Sequence, residues 1–141
     1  MRCLMTLVLS VFLATSAMAA NWDAQTRRTN TSVQDSDIQV ALTKGLPPQF
    51  AQNFPSKSYG IYVLIDRSNV KELNHDVVYI SLGLCKRRPD GSYTLPSVTY
   101  STTTALSSGN QAQEHQMVIQ KLTAQASEFA QLVIQNSGKI K

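Results

Sequence analysis

Few side chains in this sequence could carry covalent or acid-base chemistry near neutral pH: the histidines are His75 and His115 and the cysteines Cys3 and Cys85. His75 and Asp76 are adjacent, but neighbouring residues of an extended segment point apart, so adjacency alone builds no acid-base dyad. Neither histidine falls in a metal-ligand spacing. Cys85 with either histidine is the minimum for a thiol nucleophile, and Lys86, Arg87 and Arg88 beside it would favour the thiolate. A reactive cysteine is better served by a helix N-terminus, whereas Cys85 closes an apolar alternating run and reads more simply as a small buried side chain. The carboxylates Asp66, Glu72, Asp76, Asp90, Glu114 and Glu128 are scattered where caps, turns and solvated faces put them. There is no glycine-rich phosphate loop, no GxSxG and no CxxC. No catalytic residue, metal or cofactor is expected, and the chain reads as non-enzymatic.

Recognition of another protein is the chemistry that remains. Lys86-Arg87-Arg88-Pro89-Asp90-Gly91-Ser92-Tyr93 has proline to preset one turn angle and glycine to take a positive φ. It would place three cations and an aromatic ring on a rigid hairpin tip, and Arg and Tyr are frequent anchors of protein interfaces. The simpler reading is that these charges keep a sheet edge soluble. Tyr59 and Tyr79, with Ile61 and Val63, are expected on a sheet face that could serve a partner. The candidate binding residues are therefore Lys86, Arg87, Arg88, Asp90, Tyr93, Tyr59 and Tyr79.

The start of the chain fixes where such a partner would be met. Arg2, an apolar run from Leu4 to Ala14 and the small-residue pattern Ala17-Met18-Ala19 are the three regions of a secretory signal, with cleavage expected after Ala19. The run is too short to cross a bilayer comfortably, and no later stretch is apolar for long enough. A periplasmic or secreted location without a membrane span follows. Roughly 120 residues then remain, enough for one domain with a core. Without Arg2 the basic side chains number 12 against 9 acidic ones, too slight an excess to argue for nucleic acid. Only Cys85 survives processing, so the domain must hold together by packing alone.

The elements that position these residues follow from periodicity. Residues 20–31 are mostly polar and aperiodic, with Trp22 the sole large apolar side chain, and are expected to be a flexible leader. A helix capped by Ser32 or Asp35 carries Ile38, Ala41 and Leu42 on one face and stops at Gly45. A short turn opened by Pro48 brings Phe50 and Phe54 to one side. Tyr59–Ile65 and Val77–Cys85 read as strands, antiparallel because too few residues lie between them for a crossover. A third strand, Tyr93–Ser101, takes an edge because of Pro96, and a polar linker runs from Thr102 to Gly109. The last helix has the stripe Ile119, Leu122, Ala126, Phe129 and Val133, with its glutamines in solvent.

The expected fold is α+β, ordered α-β-β-β-α: a three-stranded antiparallel meander with the long C-terminal helix across one face, over residues 32–141. The second sheet face is expected to lie under the first helix, or else to be open for a partner or a second copy. The function these features favour is a small exported binding or inhibitory protein, for example one neutralising a toxin or hydrolase in a bacterial envelope. An accessory subunit of an envelope secretion or surface-fibre system is the alternative, and a thiol-dependent enzyme the least favoured.

Overall fold

The computed structural model describes residues 22–73, 75–106 and 111–140. The expected signal and its cleavage point lie outside the described residues. The elements run β1 (Ala24–Thr29), α1 (Asp35–Gly45), α2 (Pro48–Asn53), β2 (Tyr59–Val70), a 3₁₀ turn (Lys71–Leu73), β3 (His75–Lys86), β4 (Val98–Ala105), α3 (Gln111–Gln135) and α4 (Ser137–Ile140). Four strands form one sheet in the order β1-β2-β3-β4. The fold is α+β with a long C-terminal helix, as expected, but the sheet is mixed and has four strands, not three.

The extra strand comes from the segment read as a flexible leader. Residues 24–29 pair with β2 in parallel, Ala24 opposite Ile61 and Thr29 opposite Asp66. A parallel neighbour needs a crossover, and the stretch carrying α1 and α2 is that crossover. Trp22 anchors the entry to the strand: it is 4% exposed, meets Phe50 edge-on at 5.2 Å, and its carbonyl accepts a hydrogen bond from Gln39 Nε2 at 2.8 Å.

Alternation in β2 and β3 sorts side chains to the two faces. Cross-strand partners share a face, so Ile61 with Leu84, Val63 with Leu82 and Ile65 with Ile80 line the inner side, all buried. Helix α3 lies over β3 and β4 on that side, with Leu122, Ala126, Phe129 and Val133 buried against it. Gln125 is also buried, correcting its placement in solvent. Its Nε2 donates to the carbonyls of Ile80 (3.0 Å) and Tyr100 (2.9 Å), while its Oε1 accepts from Thr102 Oγ1 (2.7 Å). Full satisfaction is what allows the amide to be buried at all.

The N-cap of α1 is Gln34, not Ser32 or Asp35, and Asp37 Oδ2 accepts from the Gln34 amide at 2.8 Å. The helix does not cover the second sheet face. It packs on α3, and Ile38, Ala41, Leu42, Phe50 and Phe54 all join one core with the inner strand residues. Tyr62, Leu64, Val77 and Tyr79 stand outside that core. The reason is local: a Cβ added at Gly45 would sit 2.4 Å from the Thr123 carbonyl oxygen and 2.6 Å from Ala126 Cβ. Gly45 therefore does more than end α1; it permits near-backbone contact between α1 and α3.

That contact decides the sign of one substitution. Helix propensity alone favours Gly45→Ala by about 1 kcal/mol, but overpacking costs typically 1–3 kcal/mol, and here the obstacle is backbone. Gly45→Ala should lower the urea unfolding midpoint, with a net loss on the order of 1–2 kcal/mol. A raised midpoint would show that the two helices can part without penalty.

Candidate functional site

The basic hairpin starts as a tight turn and then folds back. Gly91 N–H donates to the Arg88 carbonyl at 2.9 Å and Gly91 takes φ 84°, as the Pro89-Asp90-Gly91 run predicts. Asp90 Oδ1 accepts from both the amide and the hydroxyl of Ser92, which lowers its carboxyl below the usual range. Asp90 thus serves the turn itself. Arg87 and Tyr93 form a bridge, but the regular ladder resumes only at Leu84 opposite Val98. Two extra residues are accommodated on the β4 side, so the third strand starts at Val98 and not at Tyr93. It continues to Ala105, through the first part of the expected linker. Proline thus falls in the irregular stretch, where no ladder donor is needed.

This irregular stretch is a flap over one end of the outer sheet face. The Tyr93 ring lies where a Cβ on Gly60 would be, 2.4 Å from it, and Pro96 occupies the same position over Gly83 at 2.7 Å. The Tyr93 hydroxyl donates to the Asp23 carboxylate. Burial first, then that carboxylate, push the phenol up to about 12. Arg87 stands 5.9 Å over the ring and 3.9 Å from Asp23. Asp23, the residue before β1, is pinned there together with the turn and the sheet.

Cys85, on the same outer face, is 2% exposed, and burial raises its thiol pKa despite a hydrogen bond from the Tyr62 backbone. That environment opposes a thiolate. What the flap leaves in solvent is Lys86, Arg87 and Arg88 together with Leu95, which is 87% exposed. Among the described residues neither Lys86 nor Arg88 forms a salt bridge.

Of the seven residues singled out from the sequence, the fold gathers Lys86, Arg87, Arg88 and Tyr93 with Asp90 at one end of the hairpin. Tyr79 lies on the outer face, 36% exposed, but seven strand residues from Lys86, about 23 Å away. Tyr59 lies on the opposite, helix-bearing face, edge-on to Phe54 at 5.2 Å. The expectation that Tyr59, Ile61 and Val63 share a face with Tyr79 is corrected by the register, which pairs Tyr79 with Asp66. Leu95 is the residue that sequence reasoning missed. Placed in a strand beside proline it looks like ordinary sheet packing, and only the two-residue slip turns it outward.

A second polar cluster joins elements far apart in sequence. Arg67 bonds Asp76 at 2.5 Å and Glu114 at 2.9 Å, and Asn69 donates to Asp76 at 2.8 Å. His115 Nδ1 lies 3.1 Å from Ser32 Oγ and its Nε2 3.4 Å from Asp37 Oδ2. A hydroxyl, an imidazole and a carboxylate in a row can in principle polarise a hydroxyl. Here Asp37 also caps α1, and the row ties the chain before α1 to the first turn of α3. His75 begins β3 instead of lying in a loop and is exposed. Among the described residues no three histidine, cysteine or acidic side chains group as a metal site, and no helix is long and apolar enough to cross a membrane.

No family model matches the chain, and no curated protein matches it. One solved structure is similar, a crystal structure of a minor lipoprotein from Acinetobacter baumannii. It is 13% identical, with 84% of this chain and 94% of that chain covered and a TM-score of 0.42.

Two measurements check this geometry. Cys85 should resist a thiol reagent in the native protein and label stoichiometrically once unfolded; rapid native labelling would mean the flap does not cover it. Asp76 has its pKa lowered, first by the hydrogen bond from Arg67 and then by that from Asn69. A carboxyl lowered in the folded state binds more protons when unfolded, so its stabilisation is complete above its ordinary value of about 4 and fades as pH falls below it. Asp76→Asn should therefore flatten the loss of stability seen in urea melts between about pH 4 and pH 2.

Proposed function

We propose that this chain is a small exported, non-enzymatic binding or inhibitory protein of the bacterial envelope that docks on another protein through the β3–β4 flap. The observation that carries this is the pairing of rigidity with exposure. The flap is fixed by Tyr93 against Gly60 and Asp23, yet the same connection presents a leucine 87% in solvent and the exposed cations Lys86, Arg87 and Arg88. Burying such a leucine is worth about 1.5–3 kcal/mol, and a preformed turn avoids most of the ordering cost of binding. Cationic residues on the rim steer an acidic partner and fix its orientation. An envelope toxin or hydrolase with an acidic cleft is the partner class that fits. The signal-like start supports an encounter outside the cytoplasm.

A photo-crosslinker placed at Leu95 should trap one discrete partner in cells, and the same group at Val40, 47% exposed on α1, should not. Joint Lys86→Glu and Arg88→Glu substitution should weaken the Leu95 capture by about tenfold or more. Equal capture at both positions, or none at Leu95, would remove the reading. So would loss of capture on replacing Cys85 and His75 together in a protein that still folds, because that would return the function to those side chains.

A further inference from the structure

The free edge of β4 is the surface that the flap does not use. Val98-Thr99-Tyr100-Ser101-Thr102-Thr103-Thr104-Ala105 contains no charge, proline or glycine, the devices that ordinarily protect an edge from pairing. The other edge strand, β1, carries Arg27 and Arg28. The Leu106 amide donates to the Asp76 backbone carbonyl at 2.8 Å, and with the β3–β4 register this fixes the alternation. Even-numbered residues of β4 bond β3, while Thr99, Ser101, Thr103 and Ala105 aim their N–H and C=O groups outward.

From these groups we infer that β4 pairs with β4 of a second copy, antiparallel about a two-fold axis at Thr102, making one continuous eight-stranded sheet. In this register Ser101 faces Thr103 of the other copy and Thr99 faces Ala105, giving about eight interchain hydrogen bonds. The helix above argues for a second copy over a foreign strand. Tyr100 donates to Glu128 and Thr102 to Gln125, and Lys121 borders the groove at Thr104, so α3 runs antiparallel to β4. Exposed along that border are Lys121, Ala124 and Glu128. The axis passes beside Ala124, with opposite charges on its two sides. Two-fold pairing therefore sets each Lys121 against the Glu128 of the other copy, twice. Since α3 lies over β3 and β4, the two helices would run about 10 Å apart, the ordinary spacing of packed helices, with a small alanine at the closest approach.

Sedimentation and light scattering of the purified full-length protein should show a dimer. Thr103→Pro removes an outward donor and no bond to β3, so it should give a monomer with an unchanged circular dichroism spectrum. Lys121→Glu should weaken the dimer by about tenfold, and Lys121→Glu with Glu128→Lys should restore it. The charge pair keeps the test decisive should the proline variant misfold. A monomer at 100 µM, a dimer indifferent to the charge exchange, or β4 amides protected from exchange only when a different protein is added would each overturn the inference.

Discussion

The near-backbone approach of α1 to α3 at Gly45 governs what the rest of the molecule can be. With no side chain between that glycine and the Thr123 carbonyl, α1 lies along α3, and both helices are spent on one side of the sheet. The aromatic group of Trp22, Phe50, Phe54 and Phe129 then fills the space between α2, α3 and the strands. Gln125 fixes the other side of α3 by hydrogen bonds to carbonyls of both β3 and β4. A helix held at two places in this way cannot roll, so the inner face closes and the outer face is left without a helical layer.

The outer face is treated differently along its length. Near the hairpin it is closed by the flap, with Pro96 over Gly83 and Tyr93 over Gly60, and Cys85 is taken out of solvent. Further along, Tyr62, Leu64 and Tyr79 stand in partial contact with water, Tyr79 opposite Thr103 of β4. The two regions suit different partners: a stiff cationic tip with one protruding leucine for a foreign protein, and an uncharged strand edge for a copy of the same chain.

Much of this was legible wherever the pattern was local. The alternation of β2 and β3 placed Ile80, Leu82 and Leu84 correctly on one face, and Pro89-Asp90-Gly91 specified its own turn. The three- and four-residue spacing of Leu122, Ala126, Phe129 and Val133 identified the buried side of α3. What failed depended on partners distant in sequence. β1 is polar because an edge strand half in water needs little apolar content, and nothing in Gln25, Arg27 or Thr29 announces a parallel neighbour. Tyr59 was assigned to the wrong face because each strand's alternation was visible while the register between them was not. The Ser32, His115 and Asp37 row spans an interval of 83 residues and leaves no mark in any window. Gln125 looked like the solvent-facing glutamines around it because only the carbonyls beneath it set it apart.

The parallel placement of β1 has a kinetic corollary. Its partner strand is made only after the whole crossover, so β1 is the part of the sheet whose closure costs the most chain entropy and can begin no earlier than β2. Until Tyr59–Val70 is present β1 has no strand to pair with, and its ladder groups stay hydrated. Once seated, it is an edge strand with a single neighbour and few apolar side chains. Local opening of the native protein should then begin at this edge, releasing the Asp23 anchor of the flap together with Trp22 while the α3 side of the core stays closed.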